Sequence, residues 1–266
     1  MAEIKVAVSG AKGRMGKEVC RTVLEEDKLK LVAAFDINEE GEDIGDTLGM
    51  KRVGVKTEKL NEANLAAKNP DVMVDFTTPM SAVDNFEVAV KCKVRPVVGT
   101  TGFTDEDISR LKKMVEDQGI GAIIAPNFAL GAVLMMKFAA MTAKYFPQAE
   151  IIETHHDKKI DAPSGTALKT AELIDKNREE DPPGRDDLLK LPGSRGGVDR
   201  NVHIHSIRLT GPIAHQEVIF GGTGQTLSIK HDSYHRNSFM PGVVLAIEKV
   251  LEIKGLIFGL ENLLEF

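Results

Sequence analysis

The densest cluster of reactive side chains in the sequence runs from Glu153 to Thr166. It contains, in order, His155, His156, Lys159, Ser164, Gly165 and Thr166. Imidazole and ammonium groups can donate protons or neutralise carboxylates. The last three residues stand where a predicted helix begins, and a helix N-terminus presents free N–H groups to an anion. The cluster therefore predicts proton-transfer chemistry on a small dicarboxylate.

Two other interpretations of this cluster stay open at this level. On an extended strand His155 and His156 point to opposite sides, so we expect one of them alone to carry the chemistry. His203 and His205 share one face of a later predicted strand, which would allow a metal site with the adjacent histidines. We predict no bound metal, because no cysteine pair or His-Glu-x-x-His helix supports one and the intervening lysines would repel a cation. A solvated strand end with a capping turn is the second alternative.

A glycine-rich turn near the N-terminus could bind a dinucleotide. Gly10-Ala-Lys-Gly-Arg-Met-Gly16 directly follows a predicted strand and opens a predicted helix. Glycines let the backbone approach a pyrophosphate, whose charge the helix N-terminus favours. Asp36 ends the next strand, where its carboxylate could accept hydrogen bonds from a ribose diol. The expected cofactor contacts here are Gly10, Ala11, Lys12, Gly13, Arg14, Met15 and Asp36; a plain strand-to-helix turn is the alternative.

The charges around Asp36 predict which nicotinamide cofactor fits. A 2′-phosphate needs a cation, whereas a free 2′-hydroxyl prefers an acceptor. Ile37-Asn-Glu-Glu40 supplies no cation, and Lys12 and Arg14 could compensate only partly. We therefore predict a preference for NADH with some tolerance of NADPH.

Strand and helix patterns alternate in the first half of the chain. The sequence predicts strands at 4–8, 29–36, 71–76, 96–98 and 120–125, separated by helices at 14–26, 81–91 and 105–117. This alternation implies a parallel sheet covered by helices. Ligands of such sheets lie beyond the carboxyl ends of the strands, where Gly99-Thr-Thr-Gly102 and Ala125-Pro-Asn-Phe128 follow two of them.

The pattern changes after Asn127. The sequence predicts helices at 129–146 and 167–176, a strand at 151–152, and a charged surface loop at 177–201. Strand patterns at 202–209, 215–220 and 225–231 then follow without helices between them, which indicates an antiparallel or mixed sheet. A last apolar helix at 241–253 is expected to pack on the first domain. The predicted fold class is α/β, with a Rossmann-like dinucleotide-binding domain and a second α+β domain containing a mixed sheet.

Composition excludes several classes of protein. The chain has 266 residues, 42% hydrophobic and 28% charged, with a formal net charge of −6. These values exclude a disordered, collagen-like or disulfide-scaffold protein, and they provide no basic field for nucleic acid or an anionic membrane. The N-terminus lacks a secretory-signal pattern, and no apolar run approaches the ~18 residues of a membrane span. With only two distant cysteines, Cys20 and Cys92, we expect a cytoplasmic protein with reduced thiols.

Taken together, the motifs resemble the 4-hydroxy-tetrahydrodipicolinate reductase (dihydrodipicolinate reductase) family. The family signature Glu-x-His-His-x-x-Lys-x-Asp-Ala-Pro-Ser-Gly-Thr-Ala is present in full from Glu153 to Ala167, and the resemblance runs essentially the whole chain. Val74-Asp-Phe-Thr77, the two turns after strands and Ile204-His-Ser-Ile-Arg208 also match. The resemblance implies NAD(P)H-dependent reduction of the cyclic dicarboxylate 4-hydroxy-tetrahydrodipicolinate to tetrahydrodipicolinate, in the diaminopimelate route to lysine.

The resemblance also implies a domain plan and a set of site residues. Residues 1–126 and 237–266 would form the dinucleotide-binding domain, and residues 127–236 a domain that binds substrate and builds a homotetramer. His155 would be a proton donor or acceptor and Lys159 the proton donor. Substrate contacts would be His156, Ser164, Gly165 and Thr166, and further cofactor contacts Phe76, Gly99, Thr100, Thr101, Ala125, Pro126, Asn127 and Phe128.

The chain departs from the common family pattern at two places. At the position of Ile37, many members carry an arginine that binds the 2′-phosphate. At the positions of Leu209 and Thr210, many members carry glycines. Two other functions stay open. A Rossmann oxidoreductase of another small carboxylate, such as an amino-acid dehydrogenase, explains the glycine turn but not the His155–Thr166 cluster. A catalytically silent NADH-binding sensor would not need paired proton donors.

Overall fold

The computed structural model describes residues 3–38, 41–182, 184 and 188–264. The chain divides into two compact units, Met1–Phe128 with Phe239–Phe266, and Ala129–Ser238. Part of the predicted surface loop and the two glutamates invoked for cofactor choice, Glu39 and Glu40, lie outside the described residues.

The elements follow one another in three stretches. The first unit begins with β1 (Ile4–Ser9), α1 (Arg14–Glu25), β2 (Leu29–Phe35), α2 (Ile44–Leu48), β3 (Thr57–Glu58), α3 (Glu62–Lys68), β4 (Val72–Asp75), α4 (Pro79–Lys91), β5 (Arg95–Val98), α5 (Asp105–Gln118) and β6 (Gly121–Ile124). The second unit holds α6 (Leu130–Ala143), β7 (Gln148–His156), α7 (Gly165–Asn177), β8 (Gly197–Asp199), β9 (Val202–Leu209), β10 (Ala214–Gly222) and β11 (Gln225–Ser233). The chain returns to the first unit with α8 (Met240–Lys249) and β12 (Gly255–Phe258).

The strands described in the first unit form one parallel sheet in the order β12-β6-β5-β4-β1-β2-β3. Val6, Ala7 and Val8 are all fully buried, as expected for a strand covered on both faces. Because the strands are parallel, their carboxyl ends lie on one edge. The order reverses between β1 and β4, which is where open α/β sheets place their ligands.

The helices of this unit bury apolar faces against the sheet. In α1, Val19, Cys20 and Val23 are buried at helical spacing. Phe86 and Val90 of α4 join Leu111 and Val115 of α5 in one fully or almost fully buried cluster. Burying a side chain of this size stabilises the fold by about 1.5–3 kcal/mol.

The second unit is built on a mixed sheet in the order β11-β10-β7-β9-β8. β7 and β9 are parallel, and the other pairings are antiparallel. The central strands alternate in burial: Ile151 and Glu153 on β7 and Val218 and Phe220 on β10 are buried, and their neighbours are partly exposed. The face with the buried side chains is called the inner face, and α6 and α7 contact strands of this sheet. Together the two sheets confirm the predicted fold class.

Several elements differ from the prediction for physical reasons. The strand predicted at 151–152 extends over all of β7, because Glu150, Glu153 and His155 find polar partners within the fold. α2 is short and is organised by Asp43, whose carboxylate accepts N–H groups from Gly45, Val53 and Gly54. The last apolar helix ends at Lys249, and the strand β12 that follows it was not predicted. None of the helices in the described ranges combines the length and apolar character needed to span a bilayer.

Candidate active site

The turn after β1 requires glycine at two positions. Gly10 has a φ of +76°, and a Cβ there would lie 2.9 Å from the carbonyl oxygen of Phe76. At Gly16, in the first turn of α1, a Cβ would lie 1.9 Å from the Gly10 oxygen. Since real side chains do not approach a backbone oxygen so closely, only glycine lets α1 begin against the edge of the sheet.

α1 begins without a side-chain cap. Gly13 is the N-cap residue in an extended conformation, and its own N–H donates to the Gly10 oxygen at 2.9 Å. The first N–H groups of a helix have no acceptor four residues earlier within the helix. Here they belong to Arg14, Met15 and Gly16, and no acidic side chain stands in this turn. The loop and helix start fit the pyrophosphate of a dinucleotide.

Asp36 is fixed between the glycine turn and the end of β2. Its Oδ2 accepts the Lys12 N–H at 2.9 Å and its Oδ1 accepts the Asn38 N–H at 3.2 Å. A carboxylate has about four acceptor positions, so lone pairs remain for ribose hydroxyls. The Lys12 ammonium forms an ion pair with Glu42 at 3.2 Å, and Ile37 is 87% exposed.

The predicted cofactor residues after β4, β5 and β6 gather at the same edge. The rings of Phe76 and Phe128 have centroids 5.6 Å apart, and a Cβ on Gly99 would lie 2.1 Å from the Phe76 ring. Thr100 and Ala125 are buried, Thr101 and Pro126 are exposed, and Asn127 is intermediate. The structure therefore brings these residues together with the glycine turn in one unit.

The residue that organises this edge was not predicted from the sequence. Asp75 is fully buried at the end of β4. Its Oδ1 accepts from the Thr77 N–H at 2.9 Å and from the hydroxyls of Thr77 at 2.7 Å and Thr100 at 3.3 Å. Its Oδ2 accepts from Asn85 Nδ2 at 2.7 Å. An acid at the end of an apolar strand gives no indication of these partners in the sequence.

In the second unit, residues predicted to transfer protons or to bind substrate gather around Glu153, on the inner face of β7. Its Oε1 accepts Arg208 Nη2 at 2.8 Å and the Ser164 N–H at 3.2 Å. Its Oε2 accepts Arg208 Nη1 at 2.8 Å and lies 2.6 Å from His155 Nδ1. Burial opposes ionisation, but hydrogen bonds from Arg208, Ser206 and His155 outweigh it and hold the pKa of Glu153 below its usual range. Glu153 is therefore a buried carboxylate whose charge is stabilised by its neighbours. No role was predicted for it from the sequence.

The environment of His155 favours the neutral imidazole. Burial lowers the pKa of His155, and this effect together with the charges of Lys159 and Arg208 outweighs the opposing influence of Glu153. A carboxylate can only accept, so the ring proton lies on Nδ1 and points at Glu153. Nε2, on the other side of the ring, is left as an acceptor.

Lys159 lies on the turn that follows β7, beside His155. Its backbone N–H donates to the His156 carbonyl at 3.1 Å, and its Nζ donates to Asp161 Oδ2 at 2.6 Å. This hydrogen bond lowers the pKa of Asp161. His156 Nδ1 is buried and has no hydrogen-bond partner within the described ranges. An ammonium and an unsatisfied imidazole nitrogen thus stand on one short segment.

The start of α7 is held by Ser164. The Ser164 hydroxyl accepts the Ala167 N–H at 3.2 Å, while its own N–H donates to Glu153. Ser164 is buried, Gly165 is exposed and Thr166 is intermediate. A Cβ on Gly165 would meet no atom within 4 Å, so this helix end has room for a ligand.

The histidines of the metal alternative do not join this cluster. His203 and His205 lie on the outer face of β9, where His203 Nδ1 is 2.7 Å from the Arg195 oxygen and His205 Nε2 is 2.8 Å from Glu150. In the register of β7 and β9, the residue of β9 that lies opposite His155 is Arg208, and neither histidine of β9 does. In the part of the chain that the structure describes, no three His, Cys, Asp or Glu side chains could hold a metal. A cavity of about 650 Å³ beside Glu150, Arg195 and His203 also lies apart from His155.

Known proteins resemble both units. Family models described as the N-terminus and the C-terminus of dihydrodipicolinate reductase match residues 4–128 and 131–264. The 4-hydroxy-tetrahydrodipicolinate reductase of Desulfitobacterium hafniense (strain DSM 10664 / DCB-2) is 51% identical over 267 residues and covers 100% of both chains. That of Halalkalibacterium halodurans is 53% identical over 263 residues, 98% of this chain and 100% of the relative.

Solved structures agree with these matches. The dipicolinate-bound dihydrodipicolinate reductase from Paenisporosarcina sp. TG-14 has a TM-score of 0.89 and 45% identity, covering 98% of this chain and 100% of that one. An amine dehydrogenase from Mycobacterium smegmatis, with a TM-score of 0.70 and 13% identity over 96% and 95% of the chains, shares the fold alone. The resemblance inferred from the motifs is confirmed, and the chain belongs to the 4-hydroxy-tetrahydrodipicolinate (dihydrodipicolinate) reductase family.

Proposed function

We propose that this chain reduces 4-hydroxy-tetrahydrodipicolinate to tetrahydrodipicolinate with hydride from a nicotinamide dinucleotide, in the diaminopimelate route to lysine. Its full-length relatives carry the name of this reductase. The observation that carries the proposal is the cluster around Glu153, which combines a neutral imidazole at His155, the Lys159 ammonium and an open helix start at Gly165. A sensor that only binds NADH would need none of the three.

The first unit supports the assignment of the cofactor site. Gly16 lets α1 begin close to Gly10, where a Cβ would lie 1.9 Å from the Gly10 oxygen, and the uncapped helix start offers N–H groups to a pyrophosphate. Asp36 is placed for the ribose, and Phe76, Gly99–Thr101 and Ala125–Phe128 border the same edge. The dinucleotide supplies the hydride; every other step is assigned to residues of the chain.

Lys159 is assigned the proton transfer. Loss of water from the 4-hydroxy compound gives a conjugated C=C–C=N system. Hydride adds to the alkene carbon that is farther from the imine. Negative charge then develops on the nitrogen and on the alkene carbon that is bonded to the imine carbon. The ammonium of Lys159 stabilises this charge and then donates its proton to that carbon, which yields tetrahydrodipicolinate. The amine regains a proton from water.

The other residues bind and orient the substrate. The start of α7, with Ser164, Gly165 and Thr166, is assigned to one carboxylate, because its N–H groups and dipole favour an anion. His156, whose Nδ1 has no partner among the residues that the structure describes, is assigned a further substrate contact. His155, neutral and protonated on Nδ1, offers Nε2 to the substrate as a proton acceptor. Holding the ring in one orientation contributes to the rate by proximity.

NADH is the preferred cofactor in this proposal, with NADPH tolerated. Lys12 is engaged with Glu42, and Ile37 offers no cation to a 2′-phosphate. We predict that Ile37→Arg improves kcat/KM for NADPH relative to NADH by about tenfold, the effect of one charge-assisted hydrogen bond of about 1.4 kcal/mol. Initial rates with both cofactors measure this ratio, and Ile37→Gln is the uncharged control. A strong NADPH preference in the unmodified protein would contradict the assignment.

The second unit is also proposed to build a homotetramer. The outer face of its sheet, opposite the buried side chains, exposes Val198, Ile207 and Leu209, and such apolar patches mark contact surfaces. We predict a solution mass of four times 29.0 kDa by light scattering. Ile207→Asp with Leu209→Asp should lower that mass, whereas Lys113→Asp on the exposed side of α5, in the first unit, should not. A monomeric unmodified protein would contradict this assembly.

We propose that the protein acts in the cytoplasm. Its proposed ligands are the cofactor and a small dicarboxylate, and no nucleic acid or membrane partner is proposed. Both cysteines are free thiols, and burial raises the pKa of Cys20 to about 12. Such a thiol is unreactive and fits a reducing compartment.

A steady-state assay tests the proposed function. Purified protein is mixed with NADH and enzymatically generated 4-hydroxy-tetrahydrodipicolinate, and the loss of NADH absorbance is followed. We expect oxidation that depends on both substrate and protein. Oxidation only with another small carboxylate would favour a different reductase, and NADH binding without turnover of any carboxylate would favour a sensor.

A further inference from the structure

We propose that Glu153 is the positioning residue of the site: it holds His155 as the tautomer protonated on Nδ1 and thereby presents Nε2 to the substrate. The inference rests on the proposed reductase activity. Glu153 does not itself touch substrate, because its side chain is fully buried on the inner face of β7.

The first support is that the carboxylate is saturated by neighbours from three elements. Oε1 accepts from Arg208 on β9 and from the Ser164 N–H at the start of α7. Oε2 accepts from Arg208 and from His155 on its own strand. A carboxylate has about four acceptor positions, so these contacts, together with the hydrogen bond from Ser206, leave none of them open. Glu153 therefore acts through the groups that it holds.

The second support is that these contacts connect Glu153 to the groups that are assigned a part in the reaction. The Nδ1 contact at 2.6 Å fixes the orientation of the His155 ring. Arg208 Nη2 also donates at 2.8 Å to the carbonyl of Asp161, the residue that pairs with Lys159. The Ser164 contact seats the helix end assigned to a substrate carboxylate. One buried carboxylate thus aligns the imidazole, the ammonium loop and the anion site.

The third support is electrostatic. The charged groups around His155 are Glu153 on its own strand, Arg208 from β9, and Lys159 with its partner Asp161 from the following turn. The first turn of α7 adds no acidic side chain, and β10 places Ala214 opposite His155. Glu153 is the group that raises the pKa of His155 against burial and the two cations. Without it, that pKa would fall further.

The main test is Glu153→Gln, measured against a matched control in the same sheet. His215 Nδ1 lies 2.6 Å from Asp232 Oδ1, a similar pair that has no assigned part in the reaction. We expect Glu153→Gln to lower kcat by ~10²-fold or more, as loss of a tautomer-fixing carboxylate does in other sites, with unchanged KM for NADH. The acidic limb of the kcat/KM profile should move to lower pH, because Glu153 no longer raises the pKa of His155. Asp232→Asn should alter neither quantity.

A double variant separates positioning from simple charge compensation. Glu153→Gln leaves the partly buried Arg208 without its counter-ion, which could prevent folding. Glu153→Gln with Arg208→Met removes both charges, and Arg208→Lys, which keeps a counter-ion for Glu153, is the reference. We expect the double variant to fold and to stay at least tenfold below its reference in kcat. Equal kcat in the two would show that Glu153 serves only as a counter-ion and would overturn the inference.

The tautomer can be read directly, without turnover. Nitrogen NMR of ¹⁵N-histidine-labelled protein, with His155→Asn identifying the resonance, should show His155 protonated on Nδ1 in the unmodified protein and altered in Glu153→Gln. An Nε2-protonated His155 in the unmodified protein would overturn the inference whatever the variants do. If the unmodified protein shows the expected tautomer but no reductase activity, the proposed function fails and the positioning by Glu153 stands.

Discussion

Replacing Lys159 by alanine is expected to lower kcat for substrate-dependent NADH oxidation by ~10²-fold or more, the usual contribution of a positioned general acid. The ammonium is held within 2.6 Å of Asp161, so the structure fixes its position on the turn after β7. Its loss removes both the charge that stabilises the developing enamine and the proton that completes the product. NADH affinity should not change, because Lys159 lies outside the unit assigned to the cofactor.

Lys158→Ala is the matched control for this variant. Lys158 is the exposed neighbour of Lys159 on the same turn, so it tests for a general effect of removing positive charge. It should retain the rate of the unmodified protein. His155→Ala should fall between the two, because the imidazole supports proton transfer while the ammonium performs it. Unmodified rates in both Lys159→Ala and His155→Ala would refute these roles.

The parts of the site that could be predicted are those encoded locally. The turn from Gly10 to Gly16 and the segment from His155 to Thr166 are each continuous in sequence, and each joins a strand to a helix. Their proposed chemistry follows from residue type and spacing, and each lies between a strand and a helix, as the sequence predicted. The Asp36 carboxylate, one strand further on, also borders the glycine turn through its bond with Lys12.

The parts that could not be predicted depend on contacts distant in sequence. Glu153 and Arg208 are 55 residues apart, and only the parallel register of β7 and β9 brings them together. Asp75 and Thr100 meet because β4 and β5 are neighbours in the sheet. In each case one buried carboxylate collects donors from several elements, and an isolated acid inside an apolar strand does not reveal which donors they are.

The same distinction explains the strand boundaries. β7 was underestimated because Glu153 and His155 interrupt its apolar pattern, although both are satisfied in the folded sheet. β12 follows a helix at the C-terminal end of the chain and is a strand because it pairs in parallel with β6. Tertiary pairing, which local propensity does not report, decides both elements.

Gly16→Ala is expected to weaken NADH binding by ~10²-fold, because a displacement near 1 Å at a binding site can cost that much. The added Cβ would lie 1.9 Å from the Gly10 oxygen, which is backbone and cannot rotate away. α1 must therefore move from the turn, and the N–H groups assigned to the pyrophosphate move with it. Such overpacking should also lower the free energy of unfolding by about 1–3 kcal/mol.

Two measurements keep the effect of Gly16→Ala specific to the cofactor site. Dipicolinate affinity, measured by calorimetry, should match the unmodified protein, because the residues assigned to the dicarboxylate belong to the second unit. Gly197→Ala is the control for a glycine whose Cβ would meet no atom within 4 Å, and it should bind NADH normally. A folded Gly16→Ala protein with unmodified NADH affinity would show that the close approach of α1 to Gly10 does not serve the dinucleotide, and the cofactor would then have to be held elsewhere.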